Sequence, residues 1–321
     1  MAPRLGSSVV PLLEPPRYQI GSSPLDDSKL DRMAEFRGDP RLVSALWSEP
    51  SARALVVHSG RALLDGERLA LLPTAEAPAG ERLLLGVGAH GPVFAVHPAS
   101  ALTDERARGI RSAAGMLPAD HLVLFMHAVA LSSWHENNPR CPRCGSATDV
   151  IEAGYARRCR ADASEHHPRT DPAVIVLVTD GGGPEDEQCL LARQTSWPDG
   201  RFSTLAGFVE PGETVEQAVV REVGEEVGVE VVSVSYAGSQ PWPFPASLML
   251  AYYAVAAPGQ TSQDDVTVDG EEIIEARWFS RSQLRQATEA GAVLVPPSLS
   301  VARRLIEGWM GAPISRHGTW Q

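Results

Sequence analysis

The segment with the clearest chemistry is GFVEPGETVEQAVVREVGEEVGV, residues 207 to 229. Thr214 and Gln217 stand at capping-box spacing, so a helix is predicted from near Thr214 to about Val227, ended by Gly228. At about 100° per residue, Glu222, Glu225 and Glu226 fall within roughly 100° of arc, beside an apolar stripe of Val219, Val223 and Val227. A solvated acidic face is the ordinary reading of paired glutamates, and it fits poorly here. Glu222 and Glu226 are a like-charge pair one turn apart, both acids lie toward the helix end where the dipole disfavours anions, and Gly224 weakens the helix middle. Local rules broken together mark a functional site. Clustered carboxylates suit Mg²⁺ or Mn²⁺, ions that bridge and neutralise phosphate oxygens.

A second constellation is Cys141-Pro-Arg-Cys144 followed by Cys159, three quarters of a zinc ribbon. Asp162 stands where a second CxxC would close, and His166 and His167 are near enough to substitute, so the fourth zinc ligand stays open, with a metal-free remnant as the alternative. Either way the role is structural. The motif does not open a helix after a strand, as a thioredoxin-like redox site would. Cys189, in an apolar run, reads as a buried free thiol. A third feature is Ser239-Gln-Pro-Trp-Pro-Phe-Pro-Ala-Ser247, whose alternating prolines exclude a helix and predict a rigid loop presenting two aromatic faces. From composition alone it could also be a plug packing a domain edge.

These segments need elements to hold them. The first forty residues are rich in Pro, Ser and Asp and predict a loosely ordered arm, taken as 1–45. Short apolar runs from Arg53 to about Pro98 predict a small meander of strands, and LPADHLVLFMHAVALSSWHENN a helix stopped at Asn137-Asn138-Pro139. Together they make an N-terminal α/β domain, 46–138. The cysteine segment, 139–170, is too poor in apolar residues for its own core. A new domain, 171–321, opens with PAVIVLVTD, a continuous β-branched run of the kind found in a buried central strand, and closes with a helix around SVARRLIEGWM.

The chain's 321 residues have room for two or three domains, and 43% hydrophobic against 21% charged residues is an ordinary globular balance. A net charge of -12 lacks the footprint of a protein that wraps nucleic acid or lies on an anionic membrane. Apolar runs fall short of the roughly 20 residues of a membrane span, and Pro11, Glu14, Pro15 and Pro16 break any secretory core. The expectation is a soluble, cytoplasmic protein without a membrane partner.

The glutamate segment resembles the complete Nudix box, Gx5Ex7REUxEExGU with U aliphatic, carried here by Gly207, Glu213, Arg221, Glu222, Val223, Glu225, Glu226, Gly228 and Val229. SQPWPFPxS beyond the box is similar to the signature of the NADH pyrophosphatase (NudC-type) subfamily. That resemblance covers roughly residues 105 to 310 closely. It implies an α+β protein with a Nudix α/β/α sandwich, and metal-dependent hydrolysis of NAD(H) to AMP and NMN(H), with NAD-cap removal from RNA 5′ ends.

By the same resemblance Glu222, Glu225, Glu226 and Glu272 would be catalytic and hold Mg²⁺ or Mn²⁺ with the carbonyl of Ala206, Glu226 acting as base. Substrate would meet Phe208, the run Gln240, Pro241, Trp242, Pro243, Phe244, Pro245, Ala246 and Ser247, then Ala302, Arg111 and His167, the last where a Tyr is usual. Zinc would sit on Cys141, Cys144, Cys159 and, as one choice for the open place, His166. The resemblance also implies a homodimer. Two other readings remain: a Nudix enzyme for another substrate such as ADP-ribose, which the SQPWPFP loop argues against, and an inactive NAD- or RNA-binding sensor, which the intact acids argue against.

Overall fold

The computed structural model describes residues 12–26, 29–183, 185–315 and 318–320. The chain forms two compact units, one of Ser23–Thr170 with Trp242–Ala246, the other of residues up to Ser22 with Asp171–Pro241 and Ser247–Gln321.

In the second of these, a seven-stranded sheet runs in the order Leu12–Leu13, Val231–Trp242, Ser247–Ala256, Asp171–Thr179, Gln188–Gln194, Ile273–Ser280, with Leu205–Phe208 also paired to Asp171–Thr179. The β-branched run is the centre. It pairs in parallel with Ser247–Ala256 and antiparallel with Leu205–Phe208 and Gln188–Gln194. Strand alternation sends Val174, Val176 and Val178 into the core shared with Val219, Val223 and Val227 of the helix Val215–Val227. Ile175 and Leu177 go to the opposite core with Leu305, Ile306 and Trp309 of the helix Val301–Met310. Burial on both faces explains the unbroken apolar sequence. The outcome is the α/β/α sandwich the resemblance implies.

The other unit is built on a seven-stranded sheet with the path Arg68–Leu69, Arg61–Asp65, Arg53–His58, Gly91–Pro98, Gly80–Gly88. It is not a simple meander. Arg53–His58 runs parallel to Gly91–Pro98, because the chain crosses to the outer strand Gly80–Gly88 before returning, a path that apolar patterning leaves undetermined. The helix Ala119–Asn137 matches the predicted one and is buried around much of its circumference, with Leu122, Phe125, Met126, Val129 and Leu131 all inside. A three-stranded sheet of Thr148–Ile151, Ala156–Cys159 and Glu165–His166 carries the cysteines. Its buried Arg157 bonds the Thr148 hydroxyl at 2.7 Å, His135 Nδ1 at 2.8 Å and Glu81 at 3.2 Å.

The prolines of the SQPWPFP segment act differently from the rigid loop expected. The strand continues through Pro241 to Trp242, and a tight turn follows before Ser247. Pro241 lies beyond Ser233 and Val234, the positions paired with Leu12–Leu13, where a strand edge tolerates a missing N–H.

Candidate active site

The helix Val215–Val227 begins with the predicted capping box. Thr214 Oγ1 accepts from the Gln217 amide at 3.2 Å, and Gln217 Oε1 accepts from the Thr214 amide at 2.8 Å. Gly228, at φ 71°, closes it in the left-handed region. The valine stripe anchors the helix to the sheet and so fixes where Glu222, Glu225 and Glu226 project.

Arg221 organises this face. Its guanidinium donates to both Glu213 carboxylate oxygens at 2.8 Å, to Glu222 Oε1 at 2.8 Å, to Glu225 Oε2 at 3.2 Å and to the Phe208 carbonyl at 2.9 Å. The bidentate pairing holds Glu213 below the usual carboxylate range. A planar fork therefore ties the helix to the loop before it. Gly207 matters for a different reason: a Cβ there would collide with the Glu222 carboxylate. Gly207 lies opposite Val174 in the sheet, so the strand brings bare backbone against the acid.

Glu226 is the most perturbed acid. Only 4% of it is exposed, and burial, reinforced by the charges of Glu272, Glu222 and Asp269, pushes its pKa up to about 8, against a bond from the Ala206 amide. Burial also raises Glu222, with Arg221 opposing and the charges of Glu225 and Glu272 adding. Glu226 Oε2 is buried without a hydrogen-bond partner. A buried Glu226 with an orphaned oxygen, a half-buried Glu222 and the nearby charge of Glu272 are oxygen donors of the kind a hard divalent cation takes. Glu225, 65% exposed, stands at the outer edge of the group.

Glu272 reaches the cluster from a distant loop. Asp269 Oδ1 accepts from the amides of Glu271, Glu272 and Ile273 at 3.1, 3.2 and 2.8 Å, and Gln194 Nε2 donates to Glu272 Oε1 at 3.3 Å. Sequence reasoning found Glu272 only by resemblance and missed Asp269 and Gln194. The Asp-Gly turn at 269–270 was the available signal.

Trp242 and Phe244 meet edge to face at 5.3 Å, with the Arg111 guanidinium 5.0 Å from the Phe244 ring centre and 5.9 Å from that of Trp242. Pro243 is buried, while Pro241 and Pro245 are exposed and Ala246 half-buried. Gln240 and Ala302 turn inward. The Gln240 amide donates to the Leu299 carbonyl at 2.6 Å and accepts from the Val301 amide at 2.7 Å, clamping the start of the helix Val301–Met310, whose Ala302 lies in the core. Ser247 is buried opposite Asp171. Phe208 and His167 are exposed.

The cysteine segment folds as two matching knuckles. Cys141 Sγ accepts from the Arg143 amide and Cys159 Sγ from the Ala161 amide, both at 3.4 Å, while the Cys141 and Cys159 carbonyls accept from Gly145 and Ala163 at 2.9 and 3.1 Å. Asp162 thus occupies in the second knuckle the place of Cys144 in the first. One ligand atom each from Cys141, Cys144, Cys159 and Asp162 lies within 4.8 Å of the others. Of the open choices for the fourth place, this gathering favours Asp162. His166 instead sits beside Cys141, its Nε2 3.3 Å from Sγ. Cys189 is a fully buried free thiol whose pKa burial drives well up.

The model of the NUDIX domain matches residues 169–296, and that of the NADH pyrophosphatase zinc ribbon domain matches residues 136–166. A NAD-capped RNA hydrolase NudC of Mycobacterium bovis (strain BCG / Pasteur 1173P2) is 37% identical over 314 residues, covering 94% of this chain and 95% of its own. That of Deinococcus radiodurans is 40% identical over 281 residues, covering 86% and 92%. The human NAD-capped RNA hydrolase NUDT12 is 42% identical over 194 residues, covering 57% of this chain and 40% of its own.

Proposed function

The chain belongs to the Nudix hydrolases, among the relatives of the NAD-capped RNA hydrolase NudC, and from that membership we propose that it hydrolyses the diphosphate of NAD(H) to AMP and NMN(H) and removes NAD caps from RNA 5′ ends. The observation that carries the reading is the orphaned Oε2 of the buried Glu226 on the Nudix box helix, with the charges of Glu222, Glu272 and Asp269 acting on it.

Glu222, Glu225, Glu226, Glu272 and the Ala206 carbonyl would hold Mg²⁺ or Mn²⁺. Such ions, when bound, neutralise diphosphate oxygens and lower the pKa of water. Glu226 would take the proton of the attacking water in its ionised form, which a bound cation would favour by offsetting the burial and neighbouring charges that raise its pKa. The water oxygen bonds to one phosphorus as the bridging P–O bond breaks. Arg221 keeps Glu222 aimed, and Gly207 leaves the space it fills. The exposed Phe208 and the ring of Trp242 offer stacking faces for the bases, with Arg111 and His167 as further substrate contacts. Gln240, through its clamp on Leu299 and Val301, positions the start of the terminal helix that carries Ala302.

Zinc on Cys141, Cys144, Cys159 and Asp162 would be structural, holding the two knuckles together. We further assign a homodimer, supported by exposed Leu13, Val232 and Tyr236 on adjacent strands, and a cytoplasmic location, consistent with the described helices, none of which is long and apolar enough to cross a membrane. The proposed segments are the α/β domain 46–138, the ribbon 139–170 and the hydrolase domain 171–321; the expected loose arm 1–45 is divided instead, its residues up to Ser22 going with the hydrolase unit and the rest, with the helix Pro40–Ser48, going with the other.

The test is product analysis of NADH incubated with the full chain and Mn²⁺ or Mg²⁺. AMP and reduced NMN from the wild type, absent with Glu226→Gln, is the expected result. An inert wild type overturns the assignment.

A further inference from the structure

Outside the carboxylate cluster and the ribbon, three more metal-ligating side chains converge. His58 ends the strand Arg53–His58, His97 lies on Gly91–Pro98, and Glu136 lies in the last turn of the helix Ala119–Asn137. One nitrogen of each imidazole and one Glu136 oxygen lie within 4.8 Å of one another. The two rings lie nearly parallel, centres 5.4 Å apart. His97 Nδ1 is 3.5 Å from Glu136 Oε1.

We propose that His58, His97 and Glu136 form a second site for a divalent transition metal of the zinc type, distinct from the cysteine ribbon. Two imidazoles and a carboxylate are a donor set for zinc with one position left open. An observation beyond the convergence itself supports it. His58 Nδ1 is buried with no hydrogen-bond partner, although its lone pair or proton needs one. The Ser59 amide already orients Glu136, donating to Oε1 at 2.6 Å, while Ser132 Oγ, 2.9 Å from the His97 Nδ1 that faces Glu136, would yield that nitrogen to an ion. Ser59 makes its contact from the two-residue hairpin turn, φ 48° with Gly60 at φ 69°, that joins the paired His58 and Arg61. The helix end that carries Glu136 also favours a cation.

Zinc–ligand bonds of about 2.0–2.2 Å set tetrahedral ligand atoms about 3.3 Å apart. The present spacing therefore needs a contraction of up to about 1.5 Å, within reach of side-chain rotation. A bound ion would clip together two strands and the helix immediately before the ribbon.

The test is zinc content of the full chain after chelator treatment and dialysis against buffered zinc in excess Mg²⁺, which occupies the oxygen-donor sites. Wild type should hold two equivalents. His58→Ala and the near-isosteric Glu136→Gln should each hold one, and Cys144→Ser should lose the other. Cobalt separates the two sites spectroscopically: the ribbon gives thiolate charge-transfer absorption, and the histidine site only weak visible bands that Glu136→Gln removes. One equivalent in wild type that Cys144→Ser abolishes, or two equivalents in folded Glu136→Gln, would overturn the proposal.

Discussion

The carboxylate of Glu222 occupies the space that a side chain at Gly207 would need. A strand residue and a helix residue far apart in order thus share one volume, and the first must have no Cβ for the second to lie flat against the sheet.

Gly207→Ala should therefore spare the fold and disable the site. The group displaced is the end of a flexible side chain, and Gly207 does not need a left-handed backbone, so stability should change by no more than about 1 kcal/mol. NADH hydrolysis should fall by at least about tenfold through displacement of Glu222. Equal activity in the alanine variant would show that the close approach is irrelevant to catalysis.

Glu226 links activity to pH. Its folded pKa of about 8 exceeds the ordinary 4.5, so the metal-free native protein keeps a proton that the unfolded chain releases. The associated stability is complete below about pH 4.5 and is lost as pH rises through about 8. Glu226→Gln avoids that loss. Denaturant titrations of metal-free protein should show the glutamine variant gaining on wild type across this window, by a few kcal/mol at most at about 1.4 kcal/mol per pKa unit. The same variant should lose about 10²- to 10⁴-fold in rate. A constant stability difference from pH 5 to 9 would refute the linkage.

Asp162 is expected to complete the ribbon. Asp162→Ala should weaken zinc binding by at least about tenfold and make the metal removable by mild chelators, as loss of a direct ligand does. Asp162→Cys should tighten it by restoring a second CxxC. If His166→Ala lowers affinity and Asp162→Ala does not, the fourth place belongs to the histidine.

Trp242→Ala tests the stacking face. Base–aromatic stacking of about 1–3 kcal/mol converts to a rise of roughly 5- to 150-fold in KM for NADH, with kcat reduced much less. A change in kcat alone would place Trp242 in the support of the chain rather than against the substrate.

Much of the site was legible because its logic is local. Capping-box residues three apart, glutamates one helical turn apart and a valine stripe beside them specify which face of one helix bears acid and which is buried, before any tertiary contact forms. The apolar run from Ala173 to Val178 likewise specified a strand covered on both sides, and the CxxC spacing a metal knuckle.

What the tertiary structure decided were meetings between segments remote in sequence. Asp269 and Glu272 come against Glu226 only because the loop before Ile273–Ser280 folds there. Gln240 is engaged by Leu299 and Val301 because the terminal helix packs over its strand. Asp162 stands at the place of Cys144 because the second knuckle repeats the first, and the His58, His97 and Glu136 cluster depends on a parallel strand pairing that no local pattern encodes. Periodicity governs neighbours along one element, whereas side chains tens of residues apart meet only after burial of the two cores has set the register and order of the strands.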